Sequence, residues 1–378
     1  MILNEQSMEL VNLVKEFVDN EIIPHAAEYE KKNEFPEEIL DKALDMGLGA
    51  LCLPEELGGL GIDNVTMFAI AEELARGDLG IATTLIANCL ASFPVLIAGN
   101  DEQKKMWFDI MQEKKYAAFC LTEPNAGSDA SGMQTTAVKD GDDYVINGTK
   151  CFITNGGIAG IYTVLAVTNR DKGIMGLTAF IVERDREGVS IGKEEDKMGM
   201  RLSNTCEVIF DNVRVPKDHV LGREGRGFKY IMQTLDDSGP GIGAFGVGIA
   251  RRALEIATAY SRERKQFGKA ICNFQAVQFM LADMAMETEA ARQLYLHCAQ
   301  LMDAGQPYTM EAAMAKTKGS DVSVKAALDG LQVMGGYGYM REYPMEKLVR
   351  DSKILQIYEG TNQIQRSVIA NQLLKKIK

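Results

Sequence analysis

The residues best suited to chemistry stand near the end of the chain, in Leu355-Gln356-Ile357-Tyr358-Glu359-Gly360-Thr361-Asn362-Gln363-Ile364-Gln365-Arg366. Glu359 sits between an aromatic and a glycine, with hydrophobes on both flanks. A carboxylate in such a setting is expected to be partly desolvated, which raises its pKa and its basicity. Gly360 lets backbone approach a ligand closely. Thr361 and Asn362 are good N-cap residues for the helix that the following run predicts. A helix start offers free N–H groups to an anion or a polar cofactor. The competing reading is a loop-to-helix junction whose Glu faces water, and the rest of the chain decides between the two.

Other stretches carry compatible chemistry. Cys120-Leu121-Thr122-Glu123-Pro124-Asn125-Ala126-Gly127-Ser128-Asp129 is rich in small and hydroxyl residues. Its backbone N–H groups could form a nest for phosphate or a ring edge, or the loop could be a plain turn. In Phe152-Ile153-Thr154-Asn155-Gly156-Gly157, strand alternation puts Phe152 and Thr154 on one face, where a planar cofactor could lie. Arg264-Lys265-Gln266-Phe267-Gly268 follows a predicted helix, and its cations suit a pyrophosphate or a solvated helix end. The Gly-rich run Gln332 to Tyr339 lacks both the strand–helix context of a dinucleotide fingerprint and a P-loop lysine. Arg350 and Asp351 are expected to pair with each other.

The elements that must position these residues change character along the chain. Helical spacing of hydrophobes predicts helices over Glu5 to Ile22, Pro36 to Met46, Val65 to Arg76, Ile81 to Ile97 and Asp101 to Met111. From Tyr116 to about Gly222 come short Val/Ile/Thr/Phe runs cut by Gly, Asn and Asp, such as Tyr162 to Val167 and Cys206 to Phe210, which predict strands. Helical spacing returns over Phe228 to Gln233, Gly246 to Arg262, Ala276 to Met302 and Met310 to Met334. The expected organisation is α+β: an N-terminal helical domain (1–118), a middle β-barrel or sandwich domain (119–225) and a C-terminal four-helix-bundle domain (226–378).

With 378 residues, 46% hydrophobic, the chain can fill two or three packed units. A formal net charge of -12 and no Lys/Arg-rich tract argue against nucleic-acid binding. Seven scattered cysteines with no C-x-x-C pair suit reduced thiols in a cytoplasmic protein. Three distant histidines argue against a zinc site. No signal peptide is read, and no apolar run is expected to reach the length of a membrane span.

Taken together and in order, the 121–129 loop, Phe152 to Gly157, Met198-Gly199-Met200-Arg201 with Phe210 to Pro216, Arg264 to Gly268, Gln332 to Gly336 and Gln356 to Arg366 resemble the acyl-CoA dehydrogenase family over nearly the whole chain. The resemblance implies an FAD enzyme that oxidises an acyl-CoA thioester to the trans-2-enoyl-CoA. Glu359 would remove the α-proton while the β-hydrogen leaves as hydride to flavin N5. By the same likeness the cofactor is held by Phe119, Leu121, Thr122, Gly127, Ser128, Phe152, Ile153, Thr154, Arg264, Gln266, Phe267, Gln275, Gln332, Gly335, Gly336, Thr361 and Gln363, partly across a subunit boundary. Ser128, Asp236, Gly239 and Gly360 would face substrate. The family implies a homotetramer built as a dimer of dimers, with electron-transferring flavoprotein as electron acceptor. Phe152 stands where the family often has Trp. Gly239 replaces an Arg of the family's Asp-x-x-Arg, which suggests a roomier or differently charged acyl pocket or a compensated change. Ser238 stands where some relatives carry the base and cannot serve as one, and Asp236 and Asp237 are expected to cap a helix or meet CoA. An enoyl-CoA reductase, an oxidase and a non-catalytic CoA-binding relative remain open alternatives.

Overall fold

Capping side chains set the first helices. In the computed structural model, which describes residues 3–376, these are α1 (Glu5–Phe17), α2 (Ala26–Lys32), α3 (Glu37–Asp45), α4 (Asn64–Gly77), α5 (Leu79–Ala98) and α6 (Asp101–Lys114). Asn4, Asp63, Asp78 and Asn100 each accept a hydrogen bond from the N–H three residues on, so each satisfies a donor that the helix start leaves free. α1 runs on into a π turn, Val18–Ile22, ahead of Pro24. The short α2 was not legible in the sequence. Contrary to expectation, α5 is long and apolar enough, at 20 residues, to cross a membrane. However, 67% of its most apolar window is buried inside the fold, which makes it a core helix.

The β-rich stretch forms β1 (Ala117–Cys120), β2 (Thr136–Asp140), β3 (Asp143–Thr154), β4 (Ile161–Val167), β5 (Leu177–Glu183), β6 (Val189–Glu194) and β7 (Thr205–Pro216). They make one curled seven-stranded sheet in the order β1-β4-β2-β3-β7-β6, with β5 paired to β4. β4 runs parallel to β1 and touches β2 in parallel, and the other pairings are antiparallel. Tyr162, Val164 and Ala166 of β4 enter one core with Phe180 and Phe210. Ile161, Leu165 and Val167 enter another with Trp107 of α6. Burial on both faces explains the nearly continuous apolar run of that strand.

The remaining elements are α7 (Gly227–Glu263), the hairpin of β8 (Lys265–Gln266) and β9 (Lys269–Ala270), α8 (Gln275–Asp303), α9 (Thr309–Met334), α10 (Met345–Ser352) and α11 (Asn362–Lys376). α7, α8 and α9 pack on one another and α11 adds to α9, as a four-helix bundle requires. Helical spacing predicts two helices here, Phe228 to Gln233 and Gly246 to Arg262, with 234–245 left between them. The structure has one 37-residue helix. Several of its glycines sit where neighbouring helices come close, Gly243 and Gly246 against α9 and Gly248 against α4. A Cβ at Gly243 would lie 2.7 Å from the Ala315 carbonyl oxygen, and one at Gly246 would lie 2.2 Å from that of Gly319. Close helix packing outweighs a propensity cost of about 1 kcal/mol per glycine.

Candidate active site

Glu359 lies in the short link between α10 and α11, in the left-handed region at φ 55, followed by Gly360 at φ 82. A non-glycine residue held there is strained and needs support from its surroundings. Gln365 of α11 supplies part of it, donating from Nε2 to the Glu359 carbonyl at 2.9 Å. Lys316 of α9, with no exposed surface, donates from Nζ to the Gly360 carbonyl at 2.7 Å and to Asn362 Oδ1 at 2.8 Å. Asn362 in turn donates to Ser320 and Asp321 of α9. Thr361 caps α11 through Ile364 N–H at 3.3 Å. No acceptor among the described residues takes the Glu359 N–H.

The Glu359 carboxylate accepts a hydrogen bond from Ser238 Oγ of α7 at 2.7 Å. Burial raises its pKa above the usual carboxylate value, while the Ser238 hydroxyl and the Lys316 charge pull it partly back. It lines a largely apolar cavity of about 60 Å³ between α4, α5 and α7, with Thr154 at the end of β3. Phe68, Phe93 and Phe245 wall that cavity, and Glu359 is the one charged residue lining it. α5 and α7 supply most of the lining. α4, which adds Met67, Phe68 and Ala71, was not foreseen.

A second cleft, about 480 Å³, opens between the end of α7 and the end of α9. Arg264, Gln266, Gly335 and Gly336 line it, so four residues named from the sequence meet there. Arg264 lies over the Tyr337 ring, 5.3 Å from its centroid. Gln275, Gln332 and Phe267 sit exposed on the surface, and Phe267 is 94% accessible. The 121–129 loop is closed by reciprocal backbone bonds between Glu123 and Ala126 at 3.1 Å, with Gly127 and Ser128 exposed beyond it. Beneath it the fully buried Lys150 donates to Leu121 O at 3.0 Å and to Glu123 Oε1 at 2.8 Å.

Three family models match the chain: the acyl-CoA dehydrogenase N-terminal domain over residues 4–114, its middle domain over 118–213 and its C-terminal domain over 225–374. The chain is 44% identical over 375 residues to a probable acyl-CoA dehydrogenase, FadE25, of Mycobacterium tuberculosis, spanning 99% of this chain and 96% of the relative. The chain belongs to the acyl-CoA dehydrogenase family. Among solved structures it is similar to the butyryl-CoA dehydrogenase of Megasphaera elsdenii, with TM-score 0.96 and 43% identity over 99% of each chain. It is equally similar, at TM-score 0.96 and 45% identity over 99% of each chain, to a chain from a structure described as the electron transferring flavoprotein of Acidaminococcus fermentans. As an acyl-CoA dehydrogenase it is an enzyme with FAD as cofactor.

The residues present fit that cofactor. Arg264 has no carboxylate partner among the described residues, which leaves its guanidinium available to a pyrophosphate. Positions 335 and 336 face open space, so backbone there can be approached closely. Phe152, 63% exposed at φ 57, sits at a register shift between β3 and β7 that simple alternation does not anticipate. Phe119, Leu121, Thr122 and Thr154 are half-buried at the same sheet end, while Ile153 points into the core.

Three expectations for an acyl-CoA dehydrogenase of this sequence need correction. Asp236 and Asp237 cap nothing: both lie inside α7, Asp236 accepting from Thr309 Oγ1 at 2.8 Å and Asp237 from the Tyr308 hydroxyl and Gln233 Nε2. Gly239 faces Ala312 of α9, whose carbonyl oxygen lies 3.6 Å from a Cβ built there, and it does not line the acyl cavity. A wider pocket therefore finds no support in this substitution. Arg350 and Asp351 do not pair: Arg350 binds Glu346 and Glu30, and Asp351 binds Lys347 and the Met200 N–H. Sequence reasoning missed Lys316 and set Ser238 aside. No local signal marks either one, because each meets Glu359 only through the fold.

Proposed function

We propose that this enzyme dehydrogenates the CoA thioester of a short, uncharged acyl group, with Glu359 as the base for the α-proton and electron-transferring flavoprotein as the electron acceptor. The observation that carries the reading is the half-buried Glu359 carboxylate aimed into an apolar cavity of about 60 Å³. A cavity of about 150 Å³ lined by similar side chains takes benzene, so this one suits a chain of a few carbons rather than a ring or a long acyl tail. No lysine or arginine lines it, which disfavours a terminal carboxylate on the acyl group. The ionised Glu359 takes the α-proton, and its raised pKa brings it closer to working pH. The unpaired Glu359 N–H is available to the thioester oxygen, where negative charge develops. Bound FAD supplies the two-electron acceptor.

Arg264, Gln266, Gly335, Gly336, Thr361 and Gln363 would hold that group, with Phe119, Leu121, Thr122, Gly127, Ser128, Phe152, Ile153 and Thr154 on the sheet side. Ser128, Asp236 and Gly360 remain proposed substrate neighbours. The exposed Phe267, Phe279 and Met286 suit burial against further copies, in keeping with a homotetramer in which Phe267, Gln275 and Gln332 serve a neighbouring site. A relative 45% identical comes from a structure described as an electron transferring flavoprotein, which supports that acceptor. Free cysteines among the described residues suit a reducing compartment, and we place the enzyme in the cytoplasm. The domain division 1–118, 119–225 and 226–378 is proposed with it. Glu359→Gln should keep a yellow, FAD-loaded protein and lose about 10²–10⁴ of turnover on butyryl-CoA. Retained turnover, or an Asp237→Asn variant that is the inactive one, would overturn the assignment.

A further inference from the structure

Ser238 lies on the face of α7 that lines the acyl cavity, together with Gly241, Ile242 and Phe245. Its hydroxyl has two acceptors in reach: Glu359 Oε2 at 2.7 Å and the Leu235 carbonyl oxygen, one turn back, at 3.4 Å. The first is short and charge-assisted, the second long and weak. A serine hydroxyl carries a single proton, so donating to one acceptor withdraws it from the other. Glu359 comes from a link 121 residues further on, and its backbone is already fixed by Lys316 and Gln365. Those backbone bonds leave the side-chain torsions of Glu359 free, and Ser238 is the one hydrogen-bond donor on its carboxylate among the described residues.

We propose that Ser238 is a positioning residue for the proposed base, its hydroxyl holding the ionised Glu359 carboxylate aimed into the acyl cavity. The inference rests on Glu359 being that base. Ser238 keeps its own proton throughout; the substrate proton goes to Glu359. Three consequences follow from one hydrogen bond. It orients the oxygen that abstracts the proton. It favours the ionised carboxylate against the burial that would neutralise it. It also yields when Glu359 gains a proton, because a protonated carboxyl no longer attracts the donor as strongly, and the hydroxyl can turn to Leu235. The charged and titratable groups facing Glu359 are few: Lys316 from α9, with Asp321 and Arg366 behind it, the Tyr358 phenol beside it and the Cys89 thiol of α5 across the cavity. None of the cavity residues supplied by α4 is ionisable.

The test compares the FAD-loaded wild type with Ser238→Ala, Ser238→Thr and Glu359→Gln on butyryl-CoA, using kcat/KM across pH, which reports the free enzyme's base. Losing a hydrogen bond to a charged group should move the acid limb of Ser238→Ala up by about one pH unit. Below the limb, kcat/KM should then fall about tenfold, with a smaller loss on the plateau. Ser238→Thr, which restores the hydroxyl, should return the limb to its wild-type place. If Glu359→Gln is inactive and the Ser238→Ala limb overlies the wild type, the role of Ser238 is refuted and the base assignment stands. If Ser238→Thr behaves like Ser238→Ala, the hydroxyl is not the operative group and the proposal fails. If Glu359→Gln remains active, the base reading falls and this inference with it.

Discussion

Replacing Lys316 by Met offers a measurement in which sign and size both follow from the fold. The lysine has no exposed surface, and its amine donates to Gly360 O and Asn362 Oδ1 at 2.7 and 2.8 Å. Burial lowers its pKa from the usual 10.5 to about 8, against the opposing pull of Glu359 and Asp321. The difference, 10.5 − 8 = 2.5 pH units, corresponds to about 3 kcal/mol. A lysine whose pKa is depressed by folding is charged at a cost. Below pH 8 both states hold the proton and the cost is present in full. From pH 8 to 10.5 the unfolded chain keeps the proton and the fold sheds it, so stability rises with pH; above 10.5 the gain is complete. Between about pH 7 and about pH 9.5 linkage puts the gain at about 2 kcal/mol. Lys316→Met keeps the length of the side chain and has no proton to shed. Guanidinium unfolding of the two proteins at both pH values, followed by circular dichroism, isolates the effect, because the other titrating groups are common to both. The wild type should gain about 2 kcal/mol on the variant as pH rises. A stability difference that stays constant with pH would show that Lys316 is not charged in a buried setting. At pH 7 the variant should also turn over more slowly while retaining FAD, because the Gly360 carbonyl loses its donor.

Two further predictions concern the frame. Glu72 of α4, 3% exposed, accepts from Arg251 at 2.6 Å, Arg292 at 2.8 Å and the Tyr295 hydroxyl at 2.6 Å. Glu72→Ala leaves two half-buried guanidiniums short of a partner and should cost about 3–5 kcal/mol, read as a lower denaturant midpoint. On α7 the glycines should divide by what they face. Gly246→Ala, with its Cβ 2.2 Å from the Gly319 carbonyl oxygen, should destabilise by about 1–3 kcal/mol. Gly239→Ala, with nothing nearer than 3.6 Å, should be neutral or stabilise by up to about 1 kcal/mol through helix propensity. Thermal melts that rank the two variants in the opposite order would refute the packing argument.

What the sequence disclosed and what it hid divide along the range of the interactions involved. The long helices and the strands were legible because their periodicity is local, and the α+β order of helical, sheet and helical units followed from it. α7 was read as two helices because glycines and Pro240 blur the helical period between 234 and 245, and the need for glycine shows only in the approach of α9 at Gly243 and Gly246 and of α4 at Gly248. The short α2 and α10 carry too few turns to show a period. Glu359 was legible from its neighbours, and Arg264, Gln266, Gly335 and Gly336 from family spacing. The contacts that hold the base were not, since Ser238 lies 121 residues and Lys316 lies 44 residues from the residues they bind. Phe152 was named, but its left-handed backbone depends on a register shift between two strands, which no reading of β3 alone contains.

The same helix contact ties the frame to the chemistry. Ser238 rides on α7 and Lys316 on α9, and both reach the 359–362 link, one at the Glu359 side chain and the other at the Gly360 carbonyl. The distance between these two donors is therefore set by how closely α7 and α9 approach. That approach is governed a turn or two along by Gly243, Gly246 and Gly319, whose positions leave no room for a Cβ on either helix. A side chain there would part the helices and pull one donor away from the link, even though it touches neither cavity nor base. On this argument the glycine run costs helix propensity in order to keep the carboxylate oxygen and the backbone N–H of Glu359 in fixed relation, which a single residue serving as both base and oxyanion donor requires.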